Sequence, residues 1–218
     1  MLFDSKQKRA FQTVLSGLKL SMYGNRPVRF LTLTTSSVMA QSVDFVPGVL
    51  NSHFQVLRKR ILRYSPYRLF VEGYITKDEM SRFYGHSNLF KKFSFDYFKV
   101  ETNEGNGVLH ILYRGSYLPY SWLSSVWSEI HNSPIVNIKL LNLHDSIKTS
   151  CYIVSQYVSF QYSSYVRSSQ SWDWVFHGFK TLWYGLRQSY PKTCFELWDA
   201  YLRRLATFRF ITTLEDFG

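Results

Sequence analysis

The sequence predicts an α+β fold, an antiparallel sheet with helices on one face, followed by a C-terminal helical extension. Three observations predict it. Short runs alternating apolar and other residues recur between positions 29 and 141. Stretches of helical period are interleaved with them as far as about residue 161, and beyond that point only helical period remains. Asn103-Glu104-Gly105-Asn106-Gly107 has the composition of a hairpin turn, because Gly and Asn tolerate positive φ.

Taken in order, residues 1–27 form a basic N-terminal arm, irregular or helical, with Lys6, Lys8, Arg9, Lys19 and Arg26 against Asp4. Residues 29–35 alternate as a first strand. After Val46-Pro47-Gly48, residues 49–64 place Leu50, Phe54, Leu57, Ile61 and Leu62 on one side of a helix and Arg58, Lys59, Arg60 and Arg63 on the other. Residues 68–75 read as a second strand, 93–101 as a third and 108–113 as a fourth, the last two joined by the Gly/Asn turn. Residues 118–130 follow as a helix, 135–141 as a fifth strand, and 145–161 as a helix with Asp145 as N-cap. A serine-rich break at 163–171 leads to helices at about 172–188 and 192–207, separated at Tyr190-Pro191. Trp172, Phe176, Phe179, Trp183 and Leu186 form a packing stripe on the first of these. The domain division is thus 1–27, 28–161 and 162–218.

Lys and Arg number 26 against 15 Asp and Glu, a net charge of +11, and 6 Trp, 16 Tyr and 18 Phe accompany them. Excess cation with abundant aromatics is the combination that single-stranded nucleic acid needs. The plainer account is a basic protein whose aromatics fill its core. Two cysteines, Cys151 and Cys194, are too few for a disulfide framework or zinc finger and read as small buried residues in a reducing compartment. The longest uncharged run, 149–166, carries eight Ser, Thr and Gln residues, so no membrane span is expected, and neither is a signal segment. A cytoplasmic location is the default.

His110 lies mid-strand with Val108 and Leu112 on its face, and Glu101 stands on the partner strand, near enough for the two to approach across the ladder. Imidazole and carboxylate together make an incomplete site for a divalent cation. The alternative is a histidine satisfied by backbone or water. On the helix 145–161, Tyr152 and Tyr157 point about 140° apart at ~100° per residue. Ile147, Cys151, Val154 and Val158 define its core side, which Ile153 and Phe160 widen toward Tyr157. Tyr152 shares a face with Lys148 and Ser155, and Lys148 would supply a charge at i−4. For either tyrosine the alternative is a core residue with a bonded hydroxyl.

Three segments together resemble a known family. Phe30-Leu31-Thr32-Leu33-Thr34 is similar to the first motif of HUH-superfamily replication initiators, the Rep endonucleases of small plasmids and viruses. Val108-Leu109-His110-Ile111-Leu112-Tyr113-Arg114-Gly115 resembles their second motif, with Val108 in place of the first histidine. Tyr152-Ile153-Val154-Ser155-Gln156-Tyr157-Val158 resembles the third, with Gln156 in place of its lysine and Tyr152 one residue early. The resemblance covers about residues 28–160, and the tail around 169–176 looks like that of archaeal plasmid and virus members. It implies a ferredoxin-like sheet and a protein that starts rolling-circle DNA replication by nicking single-stranded or hairpin DNA. Tyr152 or Tyr157 would be the nucleophile, aided by Lys148 or Gln156, with Mg²⁺ or Mn²⁺ held by His110 and Glu101 and the backbone held by Arg58, Lys59, Arg60 and Arg63. The same resemblance allows an inactive relative that only binds DNA or RNA. A third class is a basic scaffold that assembles as an oligomer through its aromatic C-terminal helices.

Overall fold

The computed structural model describes residues 5–41, 49–102, 106–145, 148–153, 167–171, 173–175 and 188–189. Five strands form one sheet: β1 (Val28–Thr34), β2 (Phe95–Thr102), β3 (Val108–Gly115), β4 (Val136–Leu140) and β5 (Arg167–Gln170). The spatial order is β4-β1-β3-β2-β5 and every neighbouring pair is antiparallel. The first four strands have the split βαβ arrangement of a ferredoxin-like sheet, with β5 added beside β2.

Strand alternation decides what each face carries. Leu31 and Leu33, Leu109, Ile111 and Tyr113, and Phe95 and Tyr97 share one face. Against them pack α3 (Val49–Ile61), through Leu50, Phe54, Leu57 and Ile61, and α6 (Tyr120–His131), through Trp122, Leu123, Val126 and Trp127. Both helices form where amphipathic spacing predicts, and Asn132 closes α6 in the left-handed region at φ 49°.

Residues of the N-terminal arm form α1 (Ser5–Tyr23), which is part of the fold. Its Ala10, Val14 and Leu18 pack with Val28, Phe98, Val100 and Leu112 on the other face of the sheet. Trp174 completes this layer: its indole nitrogen donates to Thr13 O at 3.2 Å, and a Cβ on Gly17 would overlap its ring. Helices therefore cover both faces, α3 and α6 on one and α1 on the other.

The strand expected at 68–75 is instead the short helix α4 (Pro66–Val71). Ser65 accepts from Arg68 N at its N-terminus and Pro66 occupies the first turn, where the missing N–H costs nothing. A further helix, α5 (Lys77–Tyr84), starts at a capping box between Thr76 and Glu79. Part of the serine-rich break is the edge strand β5. Asp145 lies in a 3-10 turn (Leu143–Asp145), residues 148–153 are helical, and Asp173–Val175 form a turn, not the start of a helix. A single turn, α2 (Ser37–Ala40), follows β1. Cys151 is exposed, contrary to the buried role expected of it, and the stripe at Trp172, Phe176, Phe179, Trp183 and Leu186, like Cys194, lies outside the described residues. No helix among the described residues is long and apolar enough to cross a membrane.

Candidate functional site

His110 sits on the central strand β3, opposite Thr32 of β1 and Val100 of β2. Its side chain belongs to the α1 face and is 5% exposed. Phe30 stacks against the imidazole with centroids 5.9 Å apart, and Tyr152 meets it edge-on at 6.3 Å. Tyr152 also meets Phe30 edge-on at 5.9 Å. Three rings, from the first, second and third motif segments, thus converge on one face.

This geometry corrects the expected orientation of the tyrosine helix. Ser150 and Ile153 are its buried positions, while Cys151 and Lys148 are exposed. The turn is rotated so that Tyr152, 48% exposed, reaches the sheet. Lys148 lies one turn before it, and Gln156 and Tyr157 lie outside the described residues.

His110 and Glu101 are not one site. Glu101 is paired with Leu109, and directly opposed residues of an antiparallel pair share a face. That face is the α3 side, where Lys99 also points, with its ammonium 5.3 Å from the Phe54 ring. The backbone of the sheet separates the carboxylate from the imidazole. Val108 supplies no donor, so His110 is the sole member of the expected pair on the α1 face. Among the described residues no group of three or more His, Cys, Asp or Glu stands together. Glu101 and His110 therefore cannot hold one divalent cation between them.

The four cations expected to hold nucleic acid are divided by the fold. Arg58 turns over the Tyr97 ring at 5.7 Å. Arg60 makes a bidentate pair with Glu129 of α6 at 2.5 and 2.8 Å, and that carboxylate raises its pKa. Lys59 and Arg63 remain on the exposed surface.

Two groupings join residues far apart in sequence and were not readable from spacing. His53 of α3 and His131 of α6 bring their Nδ1 atoms to 2.8 Å, and His131 Nε2 lies 2.9 Å from Thr35 Oγ1. Burial, then the neighbouring His53, pushes His131 down to about 4, and burial lowers His53 as well. The second grouping is a cleft of about 490 Å³ where β1 begins and β3 ends. It is lined by Arg26, Arg29, Arg82, Lys91 and Lys92 together with Tyr117. Pro27 precedes the expected first strand and Arg29 opens it, but nothing local in the sequence ties them to residues 82–92.

In comparison with known proteins the chain matches no family model, no curated protein and no solved structure.

Proposed function

We propose that this chain is a Rep-like protein that binds single-stranded or hairpin DNA without cutting it. The observation that carries the reading is the meeting of His110, Phe30 and Tyr152 on the central strands of a split βαβ sheet, as the family resemblance requires of its three motif segments. The net charge of +11 supports a polyanionic partner. Val108 and the position of Glu101 on the far face favour binding over cleavage, because neither can join His110 in holding a cation.

Tyrosine nicking is the second reading, favoured by Tyr152 itself, a half-exposed phenol against an imidazole. In that chemistry the phenol oxygen, losing its proton, bonds to phosphorus. The bond from phosphorus to the 3′ oxygen breaks, and that oxygen takes up a proton. The products are a 5′-phosphotyrosine link and a free 3′-hydroxyl.

One experiment tests both readings. Labelled single-stranded DNA is incubated with the protein in Mg²⁺ or Mn²⁺ and run on an SDS gel, beside a binding titration over salt. The proposal expects salt-dependent binding and no covalent adduct. An adduct lost in Tyr152→Phe would select nicking instead. Binding that is absent, or indifferent to salt, removes both.

A further inference from the structure

We infer that the cleft at the start of β1 is a binding site for a segment of single-stranded nucleic acid, with phosphates held by Arg29, Arg82, Lys91 and Lys92. The inference rests on the reading that the chain binds nucleic acid, and moves the contact from helix α3 to this cleft. Three observations carry it.

The first is charge. Five accessible cations line the cleft, Arg26, Arg29, Arg82, Lys91 and Lys92, against one carboxylate, Asp96. Asp96 faces the guanidinium of Arg114 at 3.7 Å. Arg114 itself is 3% exposed and bonded to the carbonyls of Asp173 and Trp174, so it belongs to the wall.

The second is order. Arg29 lies over the Tyr117 ring at 5.6 Å, Tyr117 stacks on Phe83 at 4.1 Å with planes 19° apart, and Arg82 lies over Phe83 at 5.5 Å. Two guanidiniums therefore cap a stacked aromatic pair, and the Tyr84 hydroxyl anchors this wall by donating to Tyr117 O at 2.8 Å. Stacking holds the flat face of each guanidinium and leaves its N–H edge for an acceptor, the geometry in which arginine receives phosphate. Arg29 Nη1 itself is buried and has no hydrogen-bond partner among the described residues, so Arg29 would meet a phosphate through its other N–H groups.

The third is size and surroundings. A cleft of about 490 Å³ takes a nucleotide or a short backbone segment and not the width of a duplex. Beside Lys91 the rings of Phe90 and Tyr67, both exposed, lie 4.9 Å apart and offer a platform for unpaired bases.

The test is fluorescence anisotropy of a labelled 15-nucleotide thymidine oligomer over a salt series. The comparison is between the wild type, a cleft triple variant (R82A, K91A, K92A) and an α3 variant (K59A in the helix with R63A in the turn that follows it), each shown to melt cooperatively. All five substituted side chains are exposed, so folding is expected to survive. The cleft variant should lose at least tenfold in affinity at low salt, and its slope of log affinity against log salt should shrink by about two, at ~0.7 per lost phosphate contact. The α3 variant should bind like the wild type. A cleft variant with wild-type affinity and slope, or a loss confined to the α3 variant, overturns the site while nucleic-acid binding stands. A wild type that binds no oligomer ends both. Equal competition by a duplex, by inorganic polyphosphate or by a nucleoside monophosphate would also overturn it, since the first two lack exposed bases and the third lacks a strand.

Discussion

On the α3/α6 face the sheet meets Phe54, Leu57, Trp122 and Trp127, whereas on the α1 face Val14, Leu18 and Trp174 share the layer with His110 and Arg114. The first layer is mostly apolar and aromatic, and its buried charged residues, Lys99 and Glu101, sit together toward the β2 edge. In the second, a guanidinium runs through the contact. Arg114 donates to Ser21 Oγ at 3.1 Å and to Trp174 O at 2.9 Å, tying α1 and the 171–174 turn to β3. Both faces are held by burial, and on the second one buried guanidinium also bonds strand, helix and turn to one another. The aromatic cluster of Phe30, His110 and Tyr152 stands on this second face.

The largest effect should come from the dense face. Trp122→Ala removes a fully buried indole and is expected to lower unfolding stability by about 3–5 kcal/mol in urea titration, with little dependence on salt. Arg114→Ala probes the other face. It strands the carbonyl groups that Arg114 serves and leaves Asp96 without its ion pair, for a loss of about 3 kcal/mol. A loss well under 1 kcal/mol would mean that apolar contact alone holds α1.

Acid should weaken the dense face at its one histidine pair. His131 is 0% exposed and held at about 4, below its ordinary 6.5, so the unfolded chain binds the proton first. Stability is then complete above pH 6.5, declines as pH falls toward 4, and levels off below it. The total loss is at most about 3 kcal/mol at 1.36 kcal/mol per pH unit. The α6 C-terminus would favour the charged form by only ~1 kcal/mol, less than the burial that opposes it. Denaturant midpoints from pH 7 to 4 should show the decline, and His131→Gln should flatten it. The smallest effect is expected at Arg60→Ala. Its pair with Glu129 is open to solvent, and the unfolding midpoint should not move measurably.

Much of the fold is legible in the sequence wherever local pattern and burial agree. The alternation of 93–101 and 108–113 around a Gly/Asn turn specifies the β2–β3 hairpin, and the spacing of Leu50, Phe54, Leu57 and Ile61 specifies the buried side of α3. Residues 68–75 mislead because aromatic and β-branched types also suit a short helix once Ser65 and Pro66 open it. The capping box at Thr76 and Glu79 was a local signal for α5 that pattern alone passed over.

The sequence by itself determined strands β1 to β4, helices α3 and α6 between them, the charge excess and the aromatic supply, because these follow from residue type and short-range period. Tertiary structure alone decided which of those residues meet. Strand parity placed Glu101 and His110 on opposite faces although they stand almost opposite each other in the hairpin. A change in the rotation of one helical turn, set by burial of Ser150 and Ile153, brought Tyr152 to His110. Sheet closure carried Arg29 and Tyr117 to Phe83 and Arg82 of α5, and α3 packing on α6 joined His53 to His131. Contacts between distant segments depend on register and rotation, where one residue or a fraction of a turn reverses the outcome, and local composition carries no information at that resolution.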